Sequence, residues 1–373
     1  MPSPLPAETE PTTKPQAMIA AAGGSAAAPS LPSRQPTKNS SLFLSCSTLP
    51  SSFGVTVYNA VFNQRQMDSF YFWRYCGPGE TKSLIDAVRF LKIKGCSISM
   101  PLKAEVIQHL DDVDPEARAV NSVNTVVRSE SPEADGPARL IGYNTDLMGF
   151  REMFQKVGRD NEFFSTTADG GGDEILQRDV NVLIYGSGSV TDSILHVLLT
   201  LQQQLQTHSV GNPQKKLALF LTARDREKAA AKAKAWASEA GEVEVVELPE
   251  VDVVADTTAV KASTRQYQVL INATPMSLTA PLPPAITTLL TSACSESDCT
   301  LNVLDLVVPE KQNHLKAFCE DSPPPSGARG GNLRYYGGFL MYQFQVCKQF
   351  ELYTGQKLTP KEVREICASR GLP

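Results

Sequence analysis

Histidine is scarce in this sequence, with only four in 373 residues. The eight cysteines (Cys46, Cys76, Cys96, Cys294, Cys299, Cys319, Cys347 and Cys367) are scattered, and none forms a C-x-x-C pair. Those two shortages disfavour a Cys/His zinc cluster and leave the thiols as small core residues of a reducing compartment. No run reaches the roughly 18 consecutive apolar residues that would suggest a membrane span. With a formal net charge of −5 there is no basic footprint, so a nucleic-acid partner is disfavoured. There is no P-loop signature and no internal repeat. A soluble, cytoplasmic protein with a small-molecule substrate, monomeric or homodimeric, is the class these absences leave.

Residues 1–40 have little that could form a core. They are rich in Pro, Ala, Ser and Thr and read as a disordered tail. "AMIAAAGGSAAA" follows two glutamates and is too rich in Gly and Ala for a secretory core, and Arg34 is the only arginine to argue for organelle import.

From residue 41 the pattern alternates. "SLFLSCS" reads as a strand, "GVTVYNAVFNQ" as a helix, "SFYFWRY" as a strand, "GETKSLIDAVRFLKIKG" as a helix with Leu84, Ile85, Val88 and Leu91 at helical spacing, and "CSISM" as a strand. This β-α-β-α-β order predicts an α/β fold with a mostly parallel sheet. Pro101 suits the first turn of a new helix, which places Lys103 at a strand's carboxyl end, where open α/β sheets put their ligands. Asp114–Pro115 is a second helix start, and "SVNTVV" and "LIGYNTD" are strands joined by a polar turn around "SESPEADGPAR". "NTDLMGFREMFQKVG" opens a helix with Thr145 as its N-cap and Leu147, Phe150, Phe154 and Val157 as its apolar stripe. Residues 158–179 lack periodicity and read as a surface insertion.

A second unit begins at "VNVLIYGSGSVTDSILHVLL". Here Gly186-x-Gly188-x-x-Thr191 follows a strand and opens a helix, the context a dinucleotide-binding turn requires. Gly186 allows the tight turn, and Ser187 and Gly188 bring backbone N–H groups to a pyrophosphate at the helix N-terminus. Thr191 in place of a third glycine weakens the match, and an ordinary βα turn is the alternative. The next strand ends in "TARDR", where Arg224 and Arg226 flank Asp225. Two guanidiniums suit a 2′-phosphate and favour NADP, while Asp225 leaves NAD open. "KLALFLTAR", "EVEVVEL", "YQVLINATP" and "TLNVLDLVV" supply strands, "SPPPSGARGGN" a flexible loop, and "GGFLMYQFQVCKQFELYTG" a single helix. "TPKEVREICAS" begins with a Thr359…Glu362 capping box.

Five of these motifs, in order, resemble the shikimate dehydrogenase family. They are "SISMPLK", "SVNT", "GYNTD", "INATP" and "QVCKQFELYTG", and variants such as "PSSFGVTVYN" are nearest to its shikimate dehydrogenase-like subfamily. The resemblance implies a substrate domain over 41–145, with 338–373 packing back on it, and a Rossmann-type NADP-binding domain over 146–337. It implies Lys103 and Asp146 as the acid–base pair for oxidation of a cyclic polyol carboxylate, shikimate or quinate. Ser52, Ser99, Asn124 and Gln345 would bind substrate, and Thr274 would join the cofactor-binding residues. A solvated lysine at a helix start and an aspartate complementing a helix dipole are the plain alternative for the pair.

Departures from the family pattern fall on substrate recognition. Where the family carries Ser-x-Ser-Pro, the chain has Ser52-Phe53-Gly54-Val55, so one hydroxyl remains. Tyr58 stands for a histidine, Ser97 for an asparagine, Ser277 and Leu340 for glycines, and Val308 for a tyrosine. A ligand-binding sensor with weak or no catalysis is therefore the alternative to a dehydrogenase.

Overall fold

A computed structural model of the chain describes residues 35–50, 52–130, 138–166, 174–207, 215–237, 241–248, 266–295, 300–308, 312–321 and 333–372. The first half contains β1 (Ser41–Ser47), α1 (Phe53–Gln64), β2 (Ser69–Tyr75), α2 (Thr81–Phe90), β3 (Gly95–Ile98), β4 (Asp112–Val113), α3 (Pro115–Ala119), β5 (Thr125–Ser129) and β6 (Arg139–Tyr143). The helix α4 (Thr145–Asp160) and the hairpin β7 (Phe164–Thr166) and β8 (Glu174–Leu176) lead to the second half. That half holds β9 (Val180–Tyr185), α5 (Ser189–Thr207), β10 (Leu217–Thr222), α6 (Arg226–Trp236), β11 (Val243–Val245), β12 (Val269–Asn272), α7 (Pro284–Ser295), β13 (Leu301–Asp305), α8 (His314–Asp321) and β14 (Leu333–Gly337). Then α9 (Gly338–Thr354) and α10 (Pro360–Ser369) close the chain.

The result is a two-domain α/β fold. The first sheet runs β2-β1-β3-β5-β6-β4. It is mixed: β1 pairs parallel with β2 and β3, whereas β5 runs antiparallel between β3 and β6. Two reversals restore direction, so the carboxyl ends of β1, β3 and β6 and the amino end of β5 share one edge. The second sheet, β11-β10-β9-β12-β13-β14, is parallel throughout. Its four inner strands are largely apolar because both faces are covered, by separate cores on either side.

α4 turns Leu147, Phe150, Met153, Phe154 and Val157 into the core of the second sheet. α9 and α10 turn Val346, Phe350, Tyr353, Val363 and Ile366 into a core shared with Phe43, Val57, Tyr58 and Phe62 of the first. The chain thus crosses between halves on two helices, and these pack against each other where Gly149 leaves room. A Cβ on Gly149 would stand 2.9 Å from Met341 O and 3.1 Å from Gln345 Cβ.

Four local expectations need correction. No α-helix starts at Pro101. Residues 100–104 form a turn with a cis Met100–Pro101 bond, followed by a 3-10 helix over Glu105–His109. The Lys103 carbonyl accepts from Val123 N at 2.9 Å, which takes it away from the next helical turn. The N-cap of α4 is Asn144, whose side chain accepts from Asp146 N and Leu147 N. The insertion read over 158–179 is in part core: α4 continues to Asp160, Phe163, Phe164 and Leu176 are buried, and β7 pairs with β8. Sequence periodicity also missed α7, α8 and β14. The segment "SPPPSGARGGN" lies outside the described residues. Residues of the presumed tail reach the fold, since Thr37 and Ser40 both donate to the Asp68 carboxylate.

Glu116 on α3 pairs with Arg151 on α4 and lies 3.7 Å from His196 on α5, joining the two halves. The His196 imidazole, then Arg151, holds the Glu116 carboxyl down, at about 2. A depressed carboxyl stabilises the fold above its unfolded pKa, and that contribution disappears as pH falls through the folded value. Glu116→Gln should therefore flatten the loss of stability between pH ~4.5 and ~2, read as urea midpoints across that range. An unchanged pH profile would discount the contact.

Candidate active site

The shared edge of the first sheet gathers four chain segments. Lys103 follows β3, Asn124 precedes β5, Asp146 follows β6 and Ser52 follows β1. Lys103 Nζ donates to Asp146 Oδ2 at 2.6 Å, with the two side chains 19% and 16% exposed. Two opposite charges this far out of water stabilise each other only in good geometry, and the backbone supplies it. Asp146 sits in the first turn of α4, where Asn144 caps the helix and donates from Nδ2 to Ser122 O. Lys103 is anchored through its own carbonyl to Val123 N, one residue before Asn124.

Asn124 is the hub of a buried network. Its Oδ1 accepts from Thr145 N (2.8 Å), Thr145 Oγ1 (3.1 Å) and Thr125 Oγ1 (2.7 Å). Thr125 Oγ1 in turn accepts from Gln349 Nε2 (2.7 Å), and Gln349 Oε1 accepts from Tyr58 Oη (2.6 Å). This chain joins α1, α9, β5 and α4, and it fixes the Asn124 amide. Asn124 Nδ2 is buried and has no partner among the described residues. A buried donor without a partner is costly unless a ligand completes it.

The remaining substrate candidates are less committed. Ser99 is held by its backbone, N to Cys46 O and O from Leu102 N, and Ser52 begins α1 without a side-chain cap bond. Gln345 lies on the α9 face that meets Gly149, one turn along α4 from Asp146. Ser97 and Tyr58, two departures from the family pattern, both serve structure. Ser97 Oγ bonds the hydroxyls of Tyr71 (2.5 Å) and Tyr353 (3.0 Å), and Tyr58 is tied to Gln349.

The glycine turn borders a cavity of about 710 Å³ lined by Gly186, Ser187, Gly188, Arg224, Asp225, Arg226 and Thr274, with Lys228 among its other walls. Gly186 has φ +131°, and a Cβ there would stand 2.8 Å from Thr274 Cγ2, so only glycine fits. A Cβ on Gly188 would meet nothing within 4 Å. The backbone at Gly188 is therefore open to a ligand at the N-terminus of α5, a fit for a pyrophosphate. Thr191, at the third position, donates from its buried hydroxyl to Gly186 O at 2.9 Å and braces the turn from within. Thr274 contributes its methyl group to Gly186, while its hydroxyl donates to Asn272 Oδ1.

The charges around "TARDREK" divide unevenly. Asp225 caps α6 by accepting from Lys228 N, and Arg226 pairs with Glu247 at 2.6 Å. Arg224 and Lys228 have no side-chain partner among the described residues. Lys228 was missed from sequence, although its spacing of four from Arg224 was the available signal. The two halves also touch directly, where Ser189 at the start of α5 donates to Met100 Sδ at 3.5 Å. A crevice of about 540 Å³ between them is lined by Lys103, Ser122, Ser189 and Trp236, among others.

Residues 46–126 match the model of the shikimate dehydrogenase substrate binding domain. The likeness is to the shikimate dehydrogenase family. A shikimate dehydrogenase-like protein of Haemophilus influenzae is 27% identical over 158 residues, 42% of this chain and 49% of that protein. A shikimate dehydrogenase (NADP(+)) of Methanocaldococcus jannaschii is 29% identical over 144 residues, 38% of this chain and 43% of that protein. In these matches the chain spans about half the length of the curated relatives or less. In fold the likeness is longer. A solved shikimate 5-dehydrogenase of Listeria monocytogenes, in complex with shikimate and NAD, superimposes with TM-score 0.63 at 20% identity, covering 90% of this chain and 98% of that one. A shikimate dehydrogenase in complex with NADP+ gives TM-score 0.62 at 20% identity, covering 90% and 97%. Among the described residues no helix is long and apolar enough to cross a membrane, and no cluster of three or more His, Cys, Asp or Glu residues is arranged to hold a metal ion.

The cap assignment can be tested directly. Asn144→Ala should cost about 1 kcal/mol of stability, seen as a lower urea midpoint. An unchanged midpoint for Asn144→Ala would contradict it.

Proposed function

We propose that the chain is an NADP-dependent dehydrogenase of shikimate or a related cyclic polyol carboxylate such as quinate, forming the 3-dehydro product reversibly. The observation that carries this reading is the 2.6 Å Lys103–Asp146 bond beside the unpartnered Asn124 amide, at the edge of the sheet. NADP, when bound, supplies the hydride acceptor at its nicotinamide. The chain's own residues do the rest. Gly186 to Gly188 and the N-terminus of α5 hold the pyrophosphate, and Arg224 and Lys228 take the 2′-phosphate. Asn124 Nδ2 donates to a ring hydroxyl, and Gln345 approaches from α9. Oxidation of an alcohol requires that its proton leave with the hydride. That proton moves onto the Lys103–Asp146 pair: Nζ takes the hydroxyl proton as it passes one of its own to Asp146 Oδ2, which also holds Nζ in place.

A second reading has one observation in its favour. Gly54 and Val308 stand where the family has hydroxyls, so a ligand-binding sensor with weak turnover remains an alternative. Absorbance at 340 nm with shikimate or quinate and each nicotinamide separates the two, because a sensor binds the acid without reducing cofactor.

Lys103→Ala should bind NADPH normally, followed by its fluorescence, and lose ~10²–10⁴-fold in kcat. Turnover within about threefold of the wild type (less than ~1 kcal/mol of barrier) would remove Lys103 from the mechanism. For the cofactor, Arg224→Ala with Lys228→Ala should raise KM for NADP at least ~tenfold and leave KM for NAD within about twofold. Equal losses with both cofactors would mean the two cations do not read the 2′-phosphate.

A further inference from the structure

The recognition end of the cleft lies around Ser52, and Gly54 leaves it a hydroxyl short. The point where a Cβ on Gly54 would stand is 3.8 Å from Tyr71 Cε1 and 3.9 Å from Tyr71 Oη, ordinary contact distances. A serine would therefore fit there, yet the chain has none. Tyr71 does not make up the loss, because its hydroxyl is engaged with Ser97 Oγ. Tyr58 is engaged with Gln349, and Tyr353 with Ser97.

One tyrosine of this cluster is different. Tyr342 stands on α9 one turn before Gln345 and so on the same face. Its ring meets the Phe53 ring edge-on at 4.6 Å between centroids, and Phe53 follows Ser52 directly. Phe339 stacks on it at 6.3 Å. The ring thus packs in a cluster with two aromatics, but the hydroxyl makes no hydrogen bond among the described residues, and the side chain is only partly buried.

We propose that Tyr342 binds substrate, its free hydroxyl donating to the carboxylate of the ring acid together with Ser52, in place of the hydroxyl that Gly54 lacks. This assignment rests on the reading of the cleft as a polyol-carboxylate site. Burial, with Tyr71 and Cys367 nearby, raises the pKa of the Tyr342 hydroxyl well above 10, so it remains a protonated donor at any working pH. A neutral donor on a rigid ring recognises an anion without placing a second cation near Lys103, which would compete for Asp146. The position also suits specificity. Gln345 and Tyr342, a turn apart on one helix, hold a hydroxyl and the carboxylate of one ring at a fixed separation.

The test uses the full-length protein with shikimate and its methyl ester, read by both steady-state kinetics and isothermal titration. Tyr342→Phe keeps the ring packing and removes only the hydroxyl. It should weaken shikimate roughly tenfold to hundredfold, the loss expected for one hydrogen bond to a charged group. Binding of the ester should change less than about twofold, and kcat for shikimate less than about threefold. Gly54→Ser added to Tyr342→Phe should recover most of the lost affinity. Shikimate binding unchanged by Tyr342→Phe, or acid and ester weakened alike, would overturn the assignment. A wild-type protein that binds the acid, loses it on Tyr342→Phe and never oxidises it would support Tyr342 and overturn the dehydrogenase reading alone.

Discussion

The arrangement depends on holding one amine against one carboxylate when the two come from different strands. Lys103 and Asp146 are both mostly withdrawn from water, so each relies on the other, and neither has a second ion-pair partner among the described residues. Long lysine side chains hold such a position only if their backbone does not drift. The sheet prevents drift by tying the Lys103 carbonyl to the amide just before Asn124, while Asn124 receives the backbone amide of Thr145. Lysine, asparagine and aspartate are therefore referenced to one another by hydrogen bonds that each involve the main chain, not by side-chain packing alone. The mixed direction of the first sheet now has a purpose. Only with β5 reversed can its amino end place Asn124 between the carboxyl ends of β3 and β6.

The second half contributes a simpler constraint. A parallel sheet presents every carboxyl end on one side, so Gly186, Arg224 and Thr274 line one cavity without further arrangement. The specialised feature is the bracing of the turn. Thr191 donates to Gly186 O inside the protein, which leaves the outer side of the turn, at Gly188, as the face open to a ligand. Thr191 was the weak point of the glycine motif in sequence, and in the structure it does internally what close packing on a glycine would do.

Much of the fold was legible because its signals are local. Apolar runs ended by Gly, Asn or Asp marked the buried strands, and the stripe Leu147, Phe150, Phe154, Val157 marked α4. Failures arose where a long-range bond overrides local preference. Pro101 is a good helix opener by itself, but Val123 claims the Lys103 carbonyl before a helix can form. Thr145 is a good cap by itself, but Asn124 draws its hydroxyl away and leaves capping to Asn144. Phe163 and Phe164 looked like part of a loop because their hydrophobic partners lie on other elements. The Tyr58–Gln349–Thr125 link spans 291 and 224 positions, and no pattern within one window can announce it.

These two kinds of anchoring would let the proposed recognition residues change while the proposed acid–base pair persists. Lys103, Asn124 and Asp146 are held by bonds to the sheet's own backbone, so substitutions on α1 and α9 outside the Tyr58–Gln349–Thr125 chain do not move them. Ser52, Phe53, Gly54, Tyr342 and Gln345, the proposed recognition residues, lie at the start of α1 and along α9. Tyr58 is an instructive intermediate. It sits on α1 among the recognition residues, yet its hydroxyl is committed through Gln349 and Thr125 to Asn124. A substitution there would reach the pair through the network, whereas a substitution at Gly54 or Tyr342, which no hydrogen bond connects to Asn124, would not. Substrate range can therefore shift along α1 and α9 at nearly constant chemistry, provided the positions that change are those outside the hydrogen-bonded chain.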